Sequence, residues 1–254
     1  VATMGSSLEP GFRLSVENVA DSISRVGLAE HEVLAAVLQV RAGSLQVMLW
    51  ERAREPHARR WSLPGGGLGD DEDVEASIRR QLAEKVDVRQ LSHVEQLAVF
   101  SAPPRVPGPR VVATAFLGLV PSHIDPVVPS DTAWHPVDAL PATAFDHEAI
   151  CRRARHRLAS KLSYTNLGFA LAPPEFTISA LRALYSAALG YKVSATNLQR
   201  VLARRGLLEP TGGTVQPGPS GGRPAALFRF VSGEMRVTDP FAVLRPPSTR
   251  SLGS

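Results

Sequence analysis

Glu72, Arg80, Gln81, Glu84 and Lys85 carry side chains that can manage charge on a phosphate. They lie in one stretch, LPGGGLGDDEDVEASIRRQLAEKVDV, from Leu63 to Val88. Cleaving a nucleoside diphosphate linkage takes a divalent cation, which neutralises the diphosphate and activates water. A helix can hold such an ion by projecting carboxylates at i, i+3 and i+4, positions that share one face. In this chain that face, at 81, 84 and 85, carries one amide, one carboxylate and one ammonium. Exchanging a carboxylate for an ammonium changes the local charge by two units. At about 5 Å and an effective dielectric near 20, each unit is worth roughly 3 kcal/mol against a monovalent neighbour, and more against a divalent ion. The pattern favours a binding pocket over a hydrolase, so no catalytic residue and no metal ligand is assigned.

The surroundings of that face leave some choices open. Asp70, Asp71, Glu72 and Glu75 could build a displaced metal site, or could simply favour a helix N-terminus. Backbone N–H groups of the glycine loop could receive phosphates. The acidic side chains beside it argue for further ligand contacts from elsewhere, and Arg59, Arg60 and Trp61 stand just before the loop. The candidate ligand contacts are Arg60, Gly66, Glu72, Arg80 and Glu84. Trp61 reads as a core residue.

The elements that must position these groups follow from periodicity. Strands are expected at Val33–Val40 and Leu45–Trp50 around a turn at Ala42-Gly43-Ser44, and at Val94–Phe100 and Val111–Val120 around the turn-rich SAPPRVPGPR. The glycines open a helix over about 73–85. Strands, helix, then strands make an α+β unit ending near Phe145.

A different chemistry belongs to the second half. Residues 1–150 sum to −7 and residues 151–254 to +11, within an overall charge of +4. An acidic half joined to a basic half points to two tasks, the basic one facing a polyanion. A basic helix is expected over 147–163. Thr177 caps a second helix, and Ser194 caps a third whose inward face is Leu198, Val201 and Leu202 and which Gly206 stops. A strand pair at Leu207-Leu208 and Ala225–Val231 flanks PTGGTVQPGPSGGRP, and the order is that of a winged helix-turn-helix. Its second helix enters the major groove. Asn197 and Arg200 are the candidates for base reading, since Asn matches adenine and Arg matches guanine through paired hydrogen bonds. Ser194 and Thr196 lie at the entrance, and Lys192, Arg204 and Arg205 face phosphates. Arg223 sits where a wing tip would enter a narrow minor groove. The run Arg152, Arg153, Arg155, Arg157, Lys161 reads either as a solvated face or as phosphate contact, and Lys161 is retained as a DNA candidate.

With 44% hydrophobic and 20% charged residues, the chain has the composition of a soluble globular protein. Its longest apolar run, VVATAFLGLV, is too short to span a bilayer, and no secretory signal is visible. The single cysteine, Cys151, reads as a buried inert thiol and fits a reducing cytoplasm.

The stretch from Leu63 to Val88 resembles the Nudix hydrolase signature: Gly, five residues, Glu, seven residues, Arg-Glu, an aliphatic, any residue, Glu-Glu, any residue, Gly. Gly66, Glu72, Arg80, Leu82 and Glu84 match it. Gln81 stands at the first helical metal-binding Glu, Lys85 at the last Glu and Asp87 at the closing Gly. In the family the counterparts of Glu72 and Arg80 pair to hold the loop on the helix. AFDHEAI at 144–150, SKLSYTNLGFALAPPEFTISALRALY at 160–185, RGLLEPTG at 205–212 and GGRPAALFRF at 221–230 are similar to the Nudix-related transcriptional regulators of NAD metabolism, the NrtR family. The resemblance covers about residues 30 to 232. It implies an α+β chain, with an N-terminal Nudix-like α/β/α sandwich followed by a C-terminal winged helix-turn-helix. The expected division is a flexible arm at 1–28, the Nudix-like domain at 29–146, a linker helix at 147–172, the winged helix at 173–238 and an irregular tail at 239–254. The family implies a cytoplasmic homodimeric repressor of NAD biosynthesis or salvage genes. It would bind a palindromic double-stranded DNA operator and need no cofactor. ADP-ribose, or a related NAD derivative, would be the effector that releases the DNA, and no membrane is involved. Some members resemble hydrolases in activity too, so an ADP-ribose pyrophosphatase with an atypical metal site is the alternative.

Overall fold

Alternation along a single strand builds the first half. In the computed structural model, which describes residues 29–86, 88–216 and 224–239, β1 spans Glu30–Arg41 and β2 spans Ser44–Glu51. Ala42 and Gly43, both at positive φ, turn one into the other. Successive β1 side chains point to opposite faces. Val33, Ala35 and Val37 enter one apolar cluster, and Leu34, Ala36 and Leu38 enter another. Both faces of the strand are therefore covered, which explains its continuous apolar run.

Among the described residues the sheet has seven strands. β3 (Trp61–Ser62), β2, β1, β6 (Val111–Leu119) and β5 (His93–Phe100) lie in that order, β4 (Gly65–Gly67) pairs with β1, and β7 (Thr132–Pro136) pairs with β2. β1 and β6 run parallel and the remaining pairs antiparallel. The four longer strands lie where periodicity puts them. β3, β4 and β7 were not expected.

Helix α1 (Val74–Lys85) covers one face with Ile78 and Leu82, and Asp73 caps it by accepting from the Ala76 amide at 2.8 Å. Helix α2 (His147–Tyr164) covers the other with Ile150, Ala154, Leu158 and Leu162, all fully buried. The four-residue spacing of these groups makes one apolar stripe inside a helix whose remaining faces are basic. α2 is thus the second helical layer of the sandwich as well as the link to the second half. Cys151 is buried beside the stripe, and burial pushes its thiol up to about 12.

The core continues without interruption into the second half. A short 3-10 turn (Leu167–Ala170) leads to α3 (Ile178–Leu189) and α4 (Ala195–Arg204), and their buried residues join the α2-side cluster. Thr177 and Ser194 cap the two helices through the Ala180 and Asn197 amides, and Gly190, at φ 77, ends α3. The strands β8 (Leu208–Val215) and β9 (Ala225–Phe230) form the wing. β8 runs past the expected Leu208 because Thr214 and Val215 pair with Ala226 and Ala225 across a bulge. Phe176 and Phe228 exchange two backbone bonds of 2.9 Å, which fasten the wing to the start of α3. The arm at 1–28, the tail beyond Asp239, Asp87 and Arg223 lie outside the described residues. Among the described residues no helix is long and apolar enough to cross a membrane.

Candidate functional site

The first site is the seam between β4 and α1. β4 contains only glycine, and its carbonyls are reached by the helix face at 81 and 85. Lys85 Nζ donates to Gly65 O at 2.5 Å, and Gln81 Nε2 donates to Gly67 O at 3.2 Å. Between them, a Cβ on Gly66 would sit 2.8 Å from Lys85 Nζ and 2.9 Å from both polar atoms of the Gln81 amide. Glycine is needed there because the two side chains occupy the space. Gly65 is also needed, since a Cβ would collide with the backbone of Val33. Desolvation lowers the Lys85 ammonium below its ordinary range, with a smaller push from the Arg80 charge.

Arg80 spans the loop and the helix. It donates to Glu72 through Nε at 2.9 Å and Nη2 at 2.6 Å, and to Glu84 through Nη1 at 3.1 Å. Glu72 also accepts from the Gly69 amide at 2.8 Å. The hydrogen bonds from Arg80 and from the Gly69 amide lower its carboxyl to about 2, and the Glu72 contact raises the Arg80 guanidinium. The carboxylates of the acidic cluster that lie nearest the helix are similarly engaged. Glu75 pairs with Arg79 at 2.9 Å, and Asp73 is the helix cap. Among the described residues no three His, Cys, Asp or Glu side chains gather as a metal site. Arg60 lies apart from this seam, its Nη1 3.5 Å from Thr143 O on the segment leading into α2.

Several groups beside the seam escaped sequence reading. Arg105, whose side chain is only 3% exposed, donates to Asp146 at 2.6 and 3.0 Å and to Glu32, tying the proline-rich loop to β1 and to the start of α2. His147 is buried, and its Nδ1 accepts from the Leu63 amide at 3.0 Å, which fixes the entry to the glycine loop. Burial drops its imidazole to about 3, so the ring is neutral. Phe145, at φ 51, packs against His57, His147 and the Arg52 guanidinium. An arginine within SAPPRVPGPR carries no spacing signal that could have marked it. Trp61 is half-buried and stacks edgewise on His135 at 4.3 Å.

The second site is the outer face of α4. Leu198, Val201 and Leu202 are buried, which leaves Thr196, Gln199, Arg200 and Arg204 outward. Arg200 Nη2 donates to Asn197 Oδ1 at 2.9 Å. Lys192 and Ser194 are exposed at the N-terminal end. Gln199 was missed, although it follows Thr196 by three residues and shares its face.

Two expected DNA contacts are not on that face. Arg205 has a side chain 3% exposed and donates to Ser163 O and Asp239 Oδ2, each at 2.8 Å. It sits inside because it follows the last turn of α4, where the chain bends back toward α2. Lys161, 16% exposed, pairs with Glu95 at 3.0 Å, because α2 lies against β5. Arg157 likewise donates to Glu95 and to Leu97 O.

Residues 30–153 match the NUDIX domain, and residues 168–230 match the NrtR DNA-binding winged helix domain. The ADPR responsive transcriptional repressor NtrR of Acinetobacter baylyi is 31% identical over 202 residues, which cover 77% of this chain and 79% of that protein. The crystal structure of Shewanella oneidensis NrtR complexed with a 27mer DNA superposes with a TM-score of 0.68 at 30% identity, covering 78% of this chain and 92% of that one. A MutT/nudix family protein from Enterococcus faecalis shares the fold with a TM-score of 0.66 at 21% identity, over 87% of this chain and 95% of its own.

Proposed function

The chain belongs to the NrtR family of Nudix-domain transcriptional repressors, and from that premise we propose that it is a DNA-binding repressor whose Nudix domain senses ADP-ribose or a related NAD derivative. Two copies present α4 to a palindromic operator of NAD biosynthesis or salvage genes, and the effector releases them. The DNA contacts are Lys192, Ser194, Thr196, Asn197, Arg200 and Arg204, with Arg223, outside the described residues, as a further candidate. The ligand contacts are Gly66, Glu72, Arg80, Glu84 and Arg60.

The observation that carries this reading is the side-chain content of the α1 face over β4. Hydrolysis through a divalent ion would require carboxylates at 81 and 85, where an amide and an ammonium are bonded to the glycine carbonyls. The remaining carboxylate, Glu84, is already held by Arg80. These residues do not fit a divalent cation, so the domain binds its nucleotide and does not cleave it. The cluster that holds Leu34 and Leu63 beside the glycine loop also holds the buried residues of α3 and α4, so a change in the pocket has a packed route to α4. Coupling of about 2.8 kcal/mol is enough to weaken operator binding a hundredfold.

The test is a band shift of the chain on its own upstream DNA, with and without ADP-ribose. About a hundredfold loss of affinity is expected with the effector. Affinity that ignores every NAD-related metabolite would reduce the Nudix domain to a dimerisation platform. Release of AMP from ADP-ribose and magnesium at about 1 per second or faster would establish a hydrolase instead.

A further inference from the structure

We propose that the Lys85 ammonium is the resident counter-cation of the glycine loop, so that the diphosphate of a nucleotide binds there without a divalent metal. The inference rests on the reading of the Nudix-like region as the effector pocket. It adds the residue that makes recognition metal-independent.

Three observations carry it. First, Lys85 Nζ lies over β4, bonded to Gly65 O at 2.5 Å and close to the Cβ position of Gly66. An ammonium has three donors, and the carbonyl takes one. Among the described residues Lys85 forms no ion pair, so its two remaining donors are left for a ligand. Second, the carboxylate best placed to compete, Glu84, is held by Arg80, and Glu32 is held by Arg105. Third, Gln81 is 4% exposed, and its Oε1 is buried with no hydrogen-bond partner among the described residues. That oxygen lies 2.9 Å from the same Gly66 Cβ position. A buried amide oxygen without a donor is costly. It cannot accept from a phosphate, but it can accept from a hydroxyl. A cationic donor beside an orphan acceptor suits a phosphorylated sugar, with the phosphate on Lys85 and a sugar hydroxyl on Gln81.

The arrangement also explains why the loop keeps its glycines while the carboxylates are gone. Gly66 leaves room for two side-chain ends that replace the ion. A metal-dependent site loses its ligand when the ion is stripped, whereas a covalently attached ammonium cannot be removed by a chelator.

The experiment has two arms on the full chain. Calorimetric titrations with ADP-ribose and with inorganic pyrophosphate are run in excess EDTA and in millimolar magnesium. The wild type is compared with Lys85→Met, which keeps the stem, and with Gln81→Glu/Lys85→Glu. Electron paramagnetic resonance of manganese(II) then reports metal binding with no ligand present, and thermal melts check folding. Wild-type affinity is expected to be the same in both buffers, and Lys85→Met to weaken it about tenfold or more in each, the scale of one charge-assisted hydrogen bond. The double variant should bind manganese tightly and take ADP-ribose only when metal is present. Wild-type binding that collapses in EDTA, or tight manganese binding by the wild type, overturns the proposal. So does unchanged affinity in folded Lys85→Met, or failure of both ligands to bind. If pyrophosphate binds in a Lys85-dependent way and ADP-ribose does not, the lysine site stands and the effector assignment falls.

Discussion

Glu95 on β5 accepts Lys161 Nζ from α2 at 3.0 Å, which pins the last turns of that helix to the sheet. Arg157 adds a second bond at 3.0 Å and His93 a third at 3.2 Å. Burial is the largest single influence on the Glu95 carboxyl and pushes it up. His93, Lys161 and Arg157 together outweigh burial and hold it at about 2, below its ordinary 4.5.

Glu95→Gln should therefore destabilise the chain at neutral pH by about 2 kcal/mol, the scale of charged hydrogen bonds. A carboxyl with a depressed folded value contributes fully above its unfolded value, near 4.5, and loses that contribution as pH falls toward 2. The gap between wild type and variant in urea melts should thus shrink steadily on acidification. A gap independent of pH would show that the charge is not what stabilises this contact.

The exposed face of α4 predicts a separation between binding and stability. Arg200→Ala should cost about 1–3 kcal/mol of operator affinity and relax specificity at one base position. The melting curve should stay unchanged, since the side chain is exposed. Lys192→Ala should weaken all sequences alike and reduce the salt dependence by about one counterion. Intact operator affinity in Arg200→Ala would move the reading helix elsewhere.

Gly168 and Tyr185 should behave as one unit. Tyr185 is fully buried, and a Cβ on Gly168 would overlap its hydroxyl and lie 2.8 Å from its Cζ. Gly168→Ala should cost about 1–3 kcal/mol through overpacking. Adding Tyr185→Phe should recover part of that loss, because the worst overlap is with the oxygen. Strictly additive effects in this double-mutant cycle would mean that the clash is relieved some other way.

Much of the architecture was legible because it rests on period and capping. The alternation of β1, the caps at Thr177 and Ser194, and the apolar face of α4 all have local signatures. β4 does not, since three glycines carry no side-chain period and pair only because β1 leaves an edge free at Glu32–Leu34. The double duty of α2 was hidden by its composition, where five basic residues obscure one apolar stripe. At the seam, the resemblance to the Nudix signature identified Glu72, Arg80, Gln81, Glu84 and Lys85, and the structure brings Glu72, Arg80 and Glu84 into one network. Arg105 and His147 were invisible because their partners lie 41 to 84 residues away. Lys161 and Arg205 look like surface cations in sequence, and only tertiary packing supplies the carboxylates that claim them.

The shared back wall has an evolutionary consequence. α2 seals the sandwich with the same stripe that continues into the packing of α3, so parting the two halves would bare apolar surface on each. Grafting this reader onto a foreign sensor would leave a greasy wound on both pieces. New specificities in this lineage are therefore expected to arise by retouching the pocket or the α4 surface in place, with the girder between them inherited whole.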